Sequence, residues 1–318
     1  MTNLIPANTP DLLSETHEFL KKKMKTPDIE IIRKALDACR ATGHTDCVQG
    51  MYLVGRSGTG KSYIARSYVK KSPPYEDGLQ KIVPILYINL PEKATGKVLV
   101  TRLFRKLTGL KKVRGSEEEI QARLVSRLMA ARTEMVIVDE AQHLVRETSS
   151  VSAQHAADAI KAIMDTEDGA GIPVVCMGID SALGLLNGKA KFKAEKQLKR
   201  RNRQMHRIAA YPFGSQNWSD LISWYQGVLQ CEVNLCTEEM LKRLHLATNG
   251  LFGSLTPLFK EAIELAGAKH AITKEHLVAA YRLFQPVDDI GCNPFDATMT
   301  TIEVCLTTSL MSENDEAA

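Results

Sequence analysis

Gly55-Arg56-Ser57-Gly58-Thr59-Gly60-Lys61-Ser62 decides how the remaining 310 positions read, because it fits G-x-x-x-x-G-K-[ST], the Walker A loop that cradles phosphates. Met51-Tyr52-Leu53-Val54 just before it is a short apolar run of strand type, and residues 63–71 after it hold no proline and can be helical. Strand, glycine-rich loop and helix in that order is the context that separates a working motif from a chance glycine turn. Gly55, Gly58 and Gly60 let the backbone bend so that its amides point inward at phosphate oxygens. The start of the helix adds its positive dipole end. With ATP as the ligand, Lys61 would reach the β- and γ-phosphates, and the Ser62 hydroxyl would hold Mg²⁺. Arg56, Ser57 and Thr59 complete the loop.

A second signal lies downstream in Met135-Val136-Ile137-Val138-Asp139-Glu140. Four apolar residues fit a parallel strand buried on both faces. Asp139 and Glu140 would emerge at its carboxyl end, where α/β sheets place their ligands. This is the pattern of a Walker B strand, with Asp139 orienting Mg²⁺ through its water shell and Glu140 polarising the attacking water as base. An acidic pair closing a strand is common in α/β folds, and it is the phosphate loop upstream that favours the catalytic reading here.

Composition restricts the class. At 318 residues, 44% hydrophobic and 25% charged, the chain reads as soluble and globular, with one large domain or two smaller ones. No apolar run approaches the roughly 20 residues of a membrane span. The first residues lack the basic and apolar regions of a secretory signal. Cys39, Cys47, Cys176, Cys231, Cys236, Cys292 and Cys305 form no C-x-x-C and no zinc spacing, so they read as free thiols in a reducing cytoplasm. A net charge of +4 says little about partners; its distribution says more.

In chain order, residues 1–26 read as an extension with one short helix over 11–23. Its run Lys21-Lys22-Lys23 fits either DNA contact or a solvated helix face. Residues 27–41 have helical spacing. Residues 72–78 read as a loop and 83–90 as a buried strand ended by Pro91. Residues 98–107 are helical, with Lys93, Lys97, Arg102, Arg105, Lys106, Lys111, Lys112 and Arg114 around them. Ser116-Glu117-Glu118-Glu119 has the form of a capping box opening a helix to about residue 132. A helix over 152–165 leads to a buried strand over 172–179. Asp180 follows as a sensor of the γ-phosphate or as the cap of a helix over 181–186. The densest positive charge falls at 189–207, where Arg200, Arg201 and Arg203 are candidates for an arginine finger reaching a neighbouring subunit's nucleotide. DNA phosphates and plain solvent are the competing destinations of that run. Residues 211–213 read as a returning strand. Helices over 217–230, 237–247, 254–267 and 273–284 form a small lid. The expected division is thus an extension 1–26, an α/β nucleotide-binding part 27–216, a helical lid 217–286 and a partly disordered tail 287–318 open to a partner.

An α/β domain with this loop, a strand ending in Asp-Glu, a basic segment after the sheet and a helical lid resembles the AAA+ ATPases. The order and spacing of residues 54–62, 83–88, 137–144, 172–180 and Gly250-Leu251-Phe252-Gly253-Ser254-Leu255 look like the TniB/TnsC transposition regulators. The resemblance covers roughly residues 27–285. It implies an ATPase that forms a ring or filament of about six or seven protomers per turn around double-stranded DNA. It also implies a bridge between a target selector of TniQ type and a transposase of TnsB type. Lys97 lies where such proteins follow the DNA backbone, with Lys93, Lys111, Lys112 and Arg114 beside it. Two departures point to slow hydrolysis. Ser254 stands where many AAA+ proteins carry a sensor arginine, and the strand over 172–179 lacks the usual polar sensor.

Two other functions fit parts of the chain. One is a nucleotide-switch signalling ATPase without DNA, against which the lack of repeat or effector domains counts. The other is an adaptor that binds nucleotide without catalysis, against which Glu140 counts.

Overall fold

The computed structural model describes residues 12–24, 26–145, 150–187, 201, 204–283 and 290–317. They divide into two compact units, one of residues 27–209 and one in which residues up to 26 join residues from 210 onward.

The first unit is built on a five-stranded sheet, β4-β5-β6-β1-β7, with every pair parallel. Its strands are β1 (Met51–Val54), β4 (Ile85–Asn89), β5 (Met135–Asp139), β6 (Val174–Gly178) and β7 (Gln204–Arg207). β1, β5 and β6 are buried at every position, as unbroken apolar runs in a parallel sheet require. The period of two then sorts side chains onto two faces. Leu86, Ile88, Val136, Val138, Val174 and Cys176 pack on one face with helices α4 (Gly96–Thr108), α5 (Glu117–Ala130) and α6 (Ser150–Met164). Ile85, Met135, Ile137, Val175 and Met177 pack on the other with α2 (Pro27–Ala41) and α3 (Lys61–Val69). The helix after β1 thus covers one face while the connections to β5 and β6 cover the other. The carboxyl end of β1 is therefore a topological switch point, the place where open α/β sheets bind ligands. The expected AAA+-type P-loop α/β fold is the fold found.

Local signals in the sequence explain several boundaries. α4 starts on Thr95, whose hydroxyl accepts from the Val98 amide, and α5 starts on a complete Ser116/Glu119 capping box. Two expectations for this unit fail. Residues 72–78 are not all loop: β2 (Tyr75–Asp77) and β3 (Gln80–Ile82) form a hairpin across the two-residue turn Gly78-Leu79. The last strand is not 211–213 but β7, inside the basic segment. Its exposure alternates residue by residue, as an edge strand's does, and with Gln204 and His206 on the half-buried side and Met205 and Arg207 on the exposed one it has no apolar face to read.

Among the described residues, the second unit holds α1 (Ser14–Lys21) and five helices at Gln216–Val228, Glu238–Thr248, Phe252–Ala266, Lys274–Leu283 and Met299–Ala317. Thr16 and Phe19 of α1 are buried, and the Phe19 ring lies 6.2 Å from that of Tyr225. Lys21, Lys22 and Lys23 are exposed. The described part of the tail packs on this unit through its first residues. Phe295 and Ile302 are wholly buried, and Ile302 and Leu306 cluster with Leu246. Arg243 explains why. Only 3% exposed, its guanidinium needs partners, and it takes the carbonyls of Pro294 and Ala297 together with the Glu239 carboxylate. The acidic end of the tail masked this anchoring when the sequence was read alone.

Candidate functional site

The loop 55–62 runs from β1 into α3 and is shaped by its glycines. Gly58 and Gly60 have φ of 81° and 93°, where a side chain would be strained. Gly55 lies so close to the Ile208 carbonyl that a Cβ would collide with it. Gly60 has no side chain to cap α3, so the amides of the first turn, Lys61 and Ser62 among them, stand at a positive helix end with no capping oxygen from that residue.

Lys61 is 7% exposed, and its ammonium is folded onto its own loop. Nζ donates to the carbonyls of Gly55 and Arg56, both at 2.7 Å, and to the Thr59 hydroxyl at 3.3 Å. Burial lowers its pKa, and the nearby carboxylates of Glu140, Asp139 and Asp180 oppose that shift. Lys61, Asp139, Glu140 and Asp180, expected from the sequence to act together, therefore share one electrostatic neighbourhood. A cation held by two carbonyls with three carboxylates nearby, beside a helix start, suits a bound phosphate chain with its metal: the phosphates would receive the ammonium and the amides, and Ser62 and Asp139 would face the Mg²⁺.

Asp139 is fully buried. Its Oδ1 accepts from the Glu140 amide at 3.0 Å and its Oδ2 from the Tyr87 hydroxyl at 2.7 Å. Tyr87 is a residue that sequence reading missed. The register pairs Tyr87 with Ile137 and Asn89 with Asp139, so Tyr87 and Asp139 sit diagonally on the same face of β4 and β5. Burial, and then the bond to Asp139, push the Tyr87 hydroxyl up to about 12, which keeps it a donor at ordinary pH. Arg66 Nε donates to the same hydroxyl at 3.4 Å.

Glu140 follows at φ 58°, a left-handed conformation that costs a non-glycine residue energy. Its carboxylate accepts from the Gln142 side-chain amide and lies 3.9 Å from His143 Nε2. Asp180 does not cap the following turn. Ile179 occupies the cap position, and Asp180 instead pairs with Arg207 of β7 at 2.7 Å.

Arg200 and Arg203 lie outside the described residues. Arg201 is described. Its carbonyl accepts from the Gly50 amide just before β1, and its guanidinium pairs with Asp165 at 3.1 Å. It thus sits at the amino end of the sheet, away from its own phosphate loop.

The basic residues expected on DNA do not form one spot. Lys93 and Lys97 are exposed at the amino end of α4, while Lys111, Lys112 and Arg114 follow its carboxyl end. The 13-residue helix separates the two groups by about 18 Å. Arg102, Arg105 and Lys106 fill the interval and, with Lys111, line an open groove of about 550 Å³ against Tyr87-Ile88-Asn89. Among the described residues, no helix is long and apolar enough to cross a membrane.

Comparison with known structures agrees with this fold. The chain is similar to the Aeropyrum pernix ORC2 protein in its ADPNP-ADP complexes, with a TM-score of 0.57 and 17% identity over 82% of this chain and 68% of that one. The ADP form of the same protein gives a TM-score of 0.57 and 16% identity, over 84% and 72% of the two chains. No curated protein matches the sequence. The family profile described as bacterial TniB protein matches residues 20–207, which hold the phosphate loop, the Asp139-Glu140 strand end and all five strands of the sheet. By that match the chain belongs to the TniB family.

Proposed function

We propose that this protein is an ATP-dependent, DNA-bound oligomeric regulator of DNA transposition, bridging a TniQ-type target selector and a TnsB-type transposase. The observation that carries the reading is the gathering of Lys61, Asp139 and Glu140 at the switch point of the sheet in a chain of the TniB family. ATP would lie along residues 55–62, with Mg²⁺ supplying charge neutralisation at the phosphates from Ser62 and the water shell of Asp139. Lys61 would exchange its carbonyl partners for phosphate oxygens. Glu140 would take the proton of the attacking water. Asp180 is assigned to sensing the γ-phosphate, for which it would leave Arg207. An arginine among Arg200, Arg201 and Arg203 would complete the site of a neighbouring protomer, and for Arg201 that means leaving Asp165. Ser254, buried in the second unit, leaves the sensor-arginine position without a cation, which favours slow turnover and a timer-like role.

Lys93, Lys97, Lys111, Lys112 and Arg114 would follow the phosphate backbone of duplex DNA on either side of the groove that Arg102, Arg105 and Lys106 line. The test is assembly on duplex DNA with and without a non-hydrolysable ATP analogue. Nucleotide-dependent rings or filaments on DNA support the proposal. Failure to bind DNA even at low salt would indicate a signalling switch, and unchanged cycling after Glu140→Gln an adaptor without catalysis.

A further inference from the structure

The sheet's β6 strand ends without a polar side chain, yet a polar side chain fills that place from elsewhere. Gln142, 4% exposed on the turn after β5, reaches across to the end of β6. Its Oε1 accepts from the Ile179 amide at 3.4 Å, while its Nε2 donates to the Glu140 carboxylate. Both halves of the amide are therefore used: a glutamate would offer no donor to Glu140, a leucine nothing to either. Gly178 makes the reach possible, since a Cβ there would land on Gln142 Oε1.

The same peptide group is held from its other side. The Gly178 carbonyl, bonded directly to the Ile179 nitrogen, accepts from the Gly55 amide at 3.1 Å. Gly55 opens the phosphate loop, and its own carbonyl is one of the two that hold the Lys61 ammonium. A series of contacts thus runs from Lys61 to the Gly55 carbonyl, through the Gly55 backbone to its amide, and on through the 178–179 peptide and Gln142 to the Glu140 carboxylate. Hydrogen bonds on the two ends of one peptide group polarise each other, so a change at one end is felt at the other. The Glu140 backbone at φ 58° holds the carboxylate close to this series, with His143 alongside.

We propose that Gln142 is a positioning residue that fixes Glu140 and couples its placement to occupancy of the phosphate loop through the Gly178–Ile179 peptide. This rests on the nucleotide-hydrolysis reading above. Gln142 touches neither phosphate nor water in this role; it sets where the base stands.

The test uses the full chain and three variants: Gln142→Ala, Gly178→Ala, which displaces Gln142 while keeping it, and the double variant. Three readouts are needed: affinity for a fluorescent ATP analogue, steady-state ATP hydrolysis, and amide hydrogen exchange at Ile179. Gln142→Ala is expected to lower kcat ten-fold or more with KM and analogue affinity within two-fold, and to speed Ile179 exchange without nucleotide. Gly178→Ala is expected to do the same, and the double variant to be little worse than Gln142→Ala, since the collision with Gln142 is then gone and only tight contacts with Ala182 and Ala141 remain. In the unaltered protein, binding the analogue is expected to change Ile179 exchange, and in Gln142→Ala to leave it unchanged. Unaltered kcat in Gln142→Ala, an affinity loss that matches the kcat loss, or additive losses in the double variant would each overturn the proposal alone. An unaltered protein that binds no analogue would overturn the proposed function and this coupling together.

Discussion

At the scale of single residues, the site depends on side chains whose partners come from other strands. Asp139 is fully buried, and one of its two carboxylate oxygens depends on the Tyr87 hydroxyl. Tyr87→Phe is expected to destabilise the nucleotide-free protein by about 1–3 kcal/mol, the range for leaving a buried charged acceptor short of a donor. Denaturant unfolding measures this; an unmoved midpoint would mean that water already serves that oxygen. Thiol reactivity gives a second check on the same packing. Burial pushes Cys39 and Cys176 up to about 12, whereas Cys47 and Cys236 are exposed. A thiol with a raised pKa holds little thiolate below that value, so at pH 8 iodoacetamide should label Cys47 and Cys236 and spare Cys39 and Cys176 until the protein unfolds. Mass spectrometry of the labelled protein reads the result, and early labelling of Cys176 would contradict the burial of β6.

At the scale of elements, caps and anchors hold helices that propensity alone would leave marginal. The capping box of α5 satisfies two amides reciprocally, Glu119 from the Ser116 hydroxyl and Ser116 from the Glu119 carboxylate. Ser116→Ala should cost about 1 kcal/mol, as loss of an N-cap does, seen as a lower urea midpoint with an unchanged slope. The helix Met299–Ala317 is held by Ile302 and Leu306 against Leu246. Ile302→Ala should cost about 2–4 kcal/mol, the range for emptying a well-packed aliphatic site. A loss under 0.5 kcal/mol, well below that range, would mean the helix is only loosely docked.

At the scale of the whole molecule, the charge balance of +4 hides a segregation along α4. Basic groups at both ends of a helix about 18 Å long span several phosphates of a duplex. Lys97→Glu should weaken duplex binding and flatten the dependence of log affinity on log salt by about one unit or more, with affinity for nucleotide unchanged. Titrations at several salt concentrations decide this. An equal loss of nucleotide affinity would make Lys97 a structural residue of the first unit.

How much of this was legible beforehand follows from distance along the chain. The phosphate loop, the strand ending in Asp139-Glu140 and the capping box are contiguous motifs, in which residue type and spacing already impose the local geometry. The buried apolar runs likewise announce a parallel sheet, because only a strand covered on both faces is apolar throughout. β7 escaped notice because Gln204, His206 and Arg207 leave it no apolar face, and the tail because its anchor, Arg243, lies 51 residues before Pro294. Tyr87 on Asp139 and Gln142 on the Gly178–Ile179 peptide stayed hidden for the same reason. They are separated by 52 and 37 positions in the chain. The primary sequence alone determined the fold class and the glycine-shaped geometry of the loop 55–62, since both are written in local patterns. That Tyr87 would hold the Asp139 carboxylate, and that Gln142 would reach the end of β6, was decided only when parallel pairing brought distant strand ends into one register.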